Sequence, residues 1–94
     1  MATYFMFGKY SSEAINAVSA SRSKQAEELV KGLGGEIKSM YALLGEYDLV
    51  LLVELPKFEN AVRASVALTR QTGIAFSTMP AISVSDFDKL IASG

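Results

Sequence analysis

Histidine, cysteine and tryptophan are all absent from this sequence. Their absence excludes Cys/His zinc sites, His- or Cys-ligated haem, iron–sulfur clusters, and Ser-His-Asp, Cys-His or His-based acid–base catalysis. Any chemistry must come from Tyr, Asp, Glu, Lys, Arg or backbone groups, which lowers the expectation of an enzyme. Neither a metal nor a cofactor is expected. A chain without cysteine has no disulfides, which fits a cytoplasmic location. Charge of one sign is lacking too: nine basic residues face ten acidic ones, for a formal net charge of −1. The basic residues are scattered from Lys9 to Lys89 without a dense run, so neither nucleic acid nor a membrane surface is an expected partner. No apolar run approaches the ~18 residues of a spanning helix, and the N-terminus has no signal-like pattern.

Apolar side chains, by contrast, are plentiful: half of the 94 residues are hydrophobic and only 20% are charged. A chain of this size is one domain, residues 1–94, and buries roughly 60–65% of its unfolded surface. So much apolar material on so short a chain favours self-association over a monomer.

The run Leu49-Val50-Leu51-Leu52-Val53, entered through Gly45-Glu46-Tyr47-Asp48 and closed by Glu54, has no polar face. Such a strand is expected to be covered on both sides, by helices on one and by another subunit on the other. Around it, Thr3–Tyr10 reads as an aromatic first strand. Ser11-Ser12-Glu13 caps a short helix carrying Ala14, Ile15 and Val18. The serines at 19, 21 and 23 predict a break, then a longer helix from about Arg22 with Ala26, Leu29, Val30 and Leu33 as its stripe. Gly34-Gly35 end that helix. Glu36–Leu44 is a second strand, joined by a Gly45-Glu46 turn to a third at Tyr47–Leu55. After Pro56, the spacing of Phe58, Ala61, Val62, Ser65, Leu68 and Thr69 predicts a helix over Lys57–Gln71. Ile74–Ala81 is a fourth strand, and Ser85-Asp86-Phe87-Asp88 reads as a capping box opening a short last helix through Ala92. The order β-α-β-β-α-β with a tail helix is the α+β, ferredoxin-like arrangement.

Strand parity separates Leu49, Leu51 and Val53, which meet the helices, from Asp48, Val50, Leu52 and Glu54. The neighbouring first strand adds either Phe5 and Phe7 or Tyr4 and Met6 to the second face. Exposed, that face is an aggregation hazard, and packing it against a second copy predicts a face-to-face homodimer.

Met40-Tyr41-Ala42-Leu43-Leu44-Gly45-Glu46-Tyr47-Asp48-Leu49-Val50 resembles the hallmark of GYD-domain proteins, a bacterial family named for a Gly-Tyr-Asp pattern. Here the pattern is Gly45, Tyr47 and Asp48. Gly8-Lys9-Tyr10, Gly34-Gly35 and Thr72-Gly73-Ile74 are similar flanking features, and the likeness runs from about Thr3 to Phe87. The resemblance implies a dimeric α/β barrel of the kind found in antibiotic-biosynthesis monooxygenases and AsnC-type effector domains. It implies no assigned activity.

The candidate ligand-binding residues are Lys9, Arg22, Tyr41, Tyr47 and Asp48. Asp48 is either a pocket-rim carboxylate, and then the one weak candidate for a catalytic base, or an acid held by nearby backbone or by Lys9. Tyr41 and Tyr47 offer hydroxyls to a ligand or aromatic area to a dimer interface. Arg22 is placed to hold an anion or to pair at the surface. Met40 and Met79 read as core or interface filler. Tyr4, Phe5 and Phe7 have the place of base-stacking aromatics, but Asp48 and Glu54 would repel phosphate. Those two acids are about 20 Å apart along one strand and cannot share an ion within a chain.

Three functions compete. The first is a stand-alone oligomeric module that binds a small ligand, with no room in 94 residues for a DNA-binding segment. The second is a cofactor-independent monooxygenase or isomerase using Tyr and Asp. The third is a purely structural assembly protein, its pocket plugged by Phe5, Phe7, Leu52 and Phe76.

Overall fold

The computed structural model describes residues 1–16 and 20–93. In chain order its elements are β1 (Ala2–Tyr10), α1 (Ser12–Asn16), α2 (Ala20–Gly32), β2 (Glu36–Ala42), β3 (Leu49–Leu55), α3 (Phe58–Thr72), β4 (Ile74–Ala81) and α4 (Val84–Ser93). The part of the first helical stripe assigned to Val18, and the Ser19 share of the expected break, lie outside the described residues; Ser21 and Ser23 do not break the chain but lie within α2. The four strands form one antiparallel sheet in the order β2-β3-β1-β4. With two helices between the strands, this is the ferredoxin-like α+β fold.

The strand parity is settled by register. Tyr4 stands opposite Val53 and Met6 opposite Leu51, so these four share the helix-covered face. The core is built from that face together with Leu55, Ala26 and Val30 of α2, and Ala61, Ala64 and Leu68 of α3. The small side chains of Ala61 and Ala64 let α3 lie close to the sheet, where a larger residue would hold it off. Phe76 packs against this same core. It therefore does not join Phe5, Phe7 and Leu52 as a plug on the other face: it stands opposite Gly8, in the core-facing parity of β4.

Local chemistry accounts for the helix ends. Ser11 Oγ accepts from the Ala14 N–H at 3.0 Å and starts α1. At the end of α2, Gly35 N–H bonds Val30 O and Gly34 N–H bonds Lys31 O, a Schellman closure. It needs a left-handed residue, which Gly34 supplies at φ 85°. The Asn60 side chain accepts from Lys57 N–H at the start of α3. Helix α4 is capped by Ser83, whose Oγ accepts from Asp86 N–H at 3.0 Å. The cap thus lies two residues before the expected Ser85. Phe87 N–H bonds Ser83 O, so Ser85 already belongs to the helix.

Two further boundaries differ from the sequence reading. β2 ends at Ala42 and β3 begins at Leu49. Residues 43–48 form a longer connection in which Leu43 N–H bonds Asp48 O at 2.8 Å. Leu43 and Leu44 are apolar but exposed, and they do not extend the strand. A register shift between Ile37 and Ser39 leaves Lys38 as an extra residue in β2. Helix α4 has an apolar side, Val84, Phe87, Leu90 and Ile91, yet none of its residues is buried. No helix among the described residues is long and apolar enough to cross a membrane.

Candidate functional site

The sheet face away from α2 and α3 is uncovered. β1 contributes Thr3, Phe5 and Phe7, β3 contributes Glu54, Leu52 and Val50 opposite them, and β4 contributes Ala81, Met79 and Ser77. On β2 the extra residue at Lys38 resets the parity, so Ser39 lies beside Leu52 and Tyr41 beside Val50. Phe5 is 37% exposed, Met79 41% and Tyr41 65%. The rings of Phe5 and Phe7 are stacked at 6.3 Å, and Tyr47 lies over Phe7 at 5.2 Å. An aromatic and aliphatic surface therefore spans all four strands. β4's share of it is Met79 with Ser77; the sequence reading left Met79 as core or interface filler without a face, and the alternation from Ile74 to Ala81 carried that signal.

The candidate residues divide between the two sides of the sheet. Tyr41 and Tyr47 belong to the uncovered face. Lys9 is exposed at its end, opposite Ala75. Asp48 sits where β3 begins, half-buried, and its Oδ2 accepts from Tyr10 N–H at 2.9 Å. Its own N–H donates to Gly8 O, and its carbonyl accepts from Leu43 N–H. Three bonds thus join β1, β3 and the connection after β2 at one point. Asp48 is held by backbone, through a strand-end amide of β1. Arg22 lies elsewhere. Its Nη1 donates to Ala14 O at 2.7 Å, and its Cζ stands 5.6 Å from the centre of the Tyr10 ring. It ties α2 to α1 and to β1 on the helix side, and the structure does not bring it together with Tyr41 and Tyr47. Tyr4 is buried on the helix side, so only Phe5 and Phe7 of the β1 aromatics are on the open face.

Charge lies at the edges of this surface: Glu36 pairs with Glu54 beside Thr3, and an exposed ion pair joins Lys38 to Glu36 at 3.7 Å. Among the described residues, no three metal-ligating side chains come within reach of one ion. The geometry suits apolar contact with polar groups at the rim, and among the described residues it brings no nucleophile and base together.

Comparison with known proteins agrees with this architecture. The chain is similar to solved structures of a leucine response regulatory protein from Mycobacterium tuberculosis (13% identity, TM-score 0.59, 87% of this chain and 51% of that one) and an AsnC family transcriptional regulator from Agrobacterium tumefaciens (20%, 0.58, 87% and 50%). It is also similar to a hypothetical protein from Pyrococcus horikoshii (26%, 0.54, 88% and 92%). The chain spans about half the length of the regulators it matches. No curated protein sequence matches it. The family model of the GYD domain matches residues 4–91, taking in the aromatic first strand, the Gly45-Tyr47-Asp48 pattern and the uncovered sheet, and the chain belongs to the GYD-domain family.

Proposed function

We propose that this chain is a small-ligand-binding module that works as a homodimer, two copies pressing their open sheet faces together into an α/β barrel. One observation carries the reading: Phe5, Phe7, Val50, Leu52 and Met79 form a continuous apolar surface on a sheet whose other face already has a complete core. Burying apolar area at roughly 25 cal/mol per Å² drives such a face onto its like. The unburied apolar side of α4 supports the same reading, since it too lacks a cover within the chain. The similarity to AsnC-type regulators favours a ligand-responsive role over a purely structural one. Lys9, Tyr41, Tyr47 and Asp48 would then line the rim of the barrel, where a ligand enters, with Arg22 behind the sheet near the same end. The carboxylate of Asp48 is held by a backbone amide, which favours a positioning role over that of a base.

The test is light scattering and native mass spectrometry at micromolar concentration, with denaturing spectra of the same sample. A dimer carrying extra mass that denaturation removes is the expected result. Leu52→Glu, which places a charge at the centre of the patch, should yield a folded monomer. A wild-type chain that stays monomeric at 100 µM, on the order of a weak specific complex, refutes the assembly.

A further inference from the structure

Tyr4 is the most deeply buried hydroxyl-bearing side chain of the core, 3% exposed. Buried tyrosines ordinarily give their hydroxyl a hydrogen-bond partner. The Tyr4 hydroxyl bonds to no described residue, and yet no buried side-chain oxygen is left sealed and unpaired. The two facts are compatible because Tyr4 reaches a cavity. A pocket of about 250 Å³ opens between α3 and β4, lined by Tyr4, Ala61, Val62, Ser65, Thr78 and Pro80, with Phe58 and Val66 at its sides. Phe58 is 62% exposed and stands at the mouth.

The polar groups of this pocket are three hydroxyls. Thr78 Oγ1 donates to Ser65 Oγ at 3.0 Å, which leaves the Ser65 hydroxyl hydrogen available. Tyr4 O–H is the second available donor. None of the lining side chains carries a charge. Two hydroxyl donors inside apolar walls suit one acceptor oxygen on an otherwise apolar molecule. An anion would meet no counter-charge and would lose its hydration. An apolar protein cavity of about 150 Å³ takes a benzene ring, so the larger volume here accommodates a ring with a short substituent.

We propose that this pocket binds a small neutral carbonyl compound, its oxygen accepting from Tyr4 and Ser65 and its apolar body lying against Ala61, Val62 and Pro80. The site is on the helix side of the sheet, separate from the dimer face, and it stands whether or not two copies associate.

The experiment is a titration of the 94-residue chain with acetophenone, followed by amide chemical shifts, with ethylbenzene and benzoate as matched probes. Acetophenone should bind with a dissociation constant on the order of 1 mM, shifting the amides of Ser65, Val66 and Thr78. Ethylbenzene, which lacks the acceptor, and benzoate, which is charged, should bind several-fold more weakly. Tyr4→Phe keeps the ring and removes the donor, and should weaken acetophenone by roughly three- to tenfold, the effect of one neutral hydrogen bond, while leaving ethylbenzene unchanged. Ser65→Ala supplies the same comparison if Tyr4→Phe fails to fold. Equal affinity for acetophenone and ethylbenzene, indifference to both variants, shifts confined to the open sheet face, or no binding at saturating probe would each overturn the proposal. Light scattering on the same samples separates this result from the dimer: a monomer that binds acetophenone refutes the assembly alone.

Discussion

Gly35→Ala should be among the most damaging single-methyl additions in this chain. Gly35 follows the Schellman closure of α2 and leads into β2, where Glu36 pairs with Glu54 of β3. A Cβ at Gly35 would collide with the backbone carbonyl oxygen of Glu54 and lie 2.5 Å from Leu55 Cδ2. Neither neighbour can give way cheaply. The carbonyl belongs to an interior strand, and Leu55 is fully buried in the core. Overpacking of this kind typically costs 1–3 kcal/mol, and a clash with fixed backbone belongs at or above the top of that range. We therefore expect a loss of about 3 kcal/mol, which for a domain of this size lowers the melting temperature by roughly 12–24 °C. Gly32→Ala, three residues away, is the internal control. A Cβ there meets nothing within 4 Å, and the position is the last residue of α2. Alanine should stabilise it by about 0.4–1 kcal/mol by restricting the unfolded chain. Both variants would be followed by circular dichroism during thermal and urea denaturation, at one protein concentration because association shifts apparent stability. A loss below about 1 kcal/mol at Gly35, or equal effects at both glycines, would refute the packing argument.

Three other outcomes follow from single contacts. Leu68→Ala removes a fully buried side chain from the interface of α3 with the sheet and should cost about 2–5 kcal/mol in urea unfolding. Asp48→Ala removes the acceptor for Tyr10 N–H and should cost about 1–2 kcal/mol. Asp48→Asn, which keeps an acceptor oxygen, should cost less, and equal losses would show that charge rather than the bond matters. Ser83→Ala removes the cap of α4 and should lower the far-ultraviolet helix signal without moving the main unfolding transition, since α4 contributes no buried residue to the core.

The parts of the fold that were legible in the sequence are those where one periodicity dominates. In Leu49–Val53 an unbroken apolar run announced a strand needing cover on both sides, and parity assigned Leu51 and Val53 to the core. The spacing of Ala61, Leu68 and their neighbours announced α3, and Gly34-Gly35 its companion's end. Reading failed where tertiary contacts decide. Leu43 and Leu44 look like strand residues, but Leu43 N–H turns back to Asp48 O, and hydropathy carries no trace of that bond. The extra residue at Lys38 shifts the faces of β2 by one, so Tyr41 could be placed on the open face only once its pairing with Val50 was known. Of the candidate site, the backbone role of Asp48 was one of two readings available from the sequence. The separation of Arg22 from Tyr41 and Tyr47 was not available, because the side of the sheet an α2 residue reaches depends on packing. The pocket at Tyr4 was invisible for the same reason. Tyr4, Ser65 and Thr78 are distant in sequence and meet only where α3 crosses β4.

Helix α4 carries a consequence for measurement in solution. A ten-residue helix that buries none of its own side chains has little to sustain it in water, since isolated helices shorter than about 12–15 residues are marginal. Its backbone amides should therefore exchange hydrogen with solvent almost as fast as an unfolded peptide wherever nothing covers Val84, Phe87, Leu90 and Ile91, while those of β1 and β3 exchange only with global unfolding. Protection in α4 thus becomes an occupancy gauge: it rises when a partner surface settles on the helix, whatever that surface is, and the rest of the domain serves as the fixed reference.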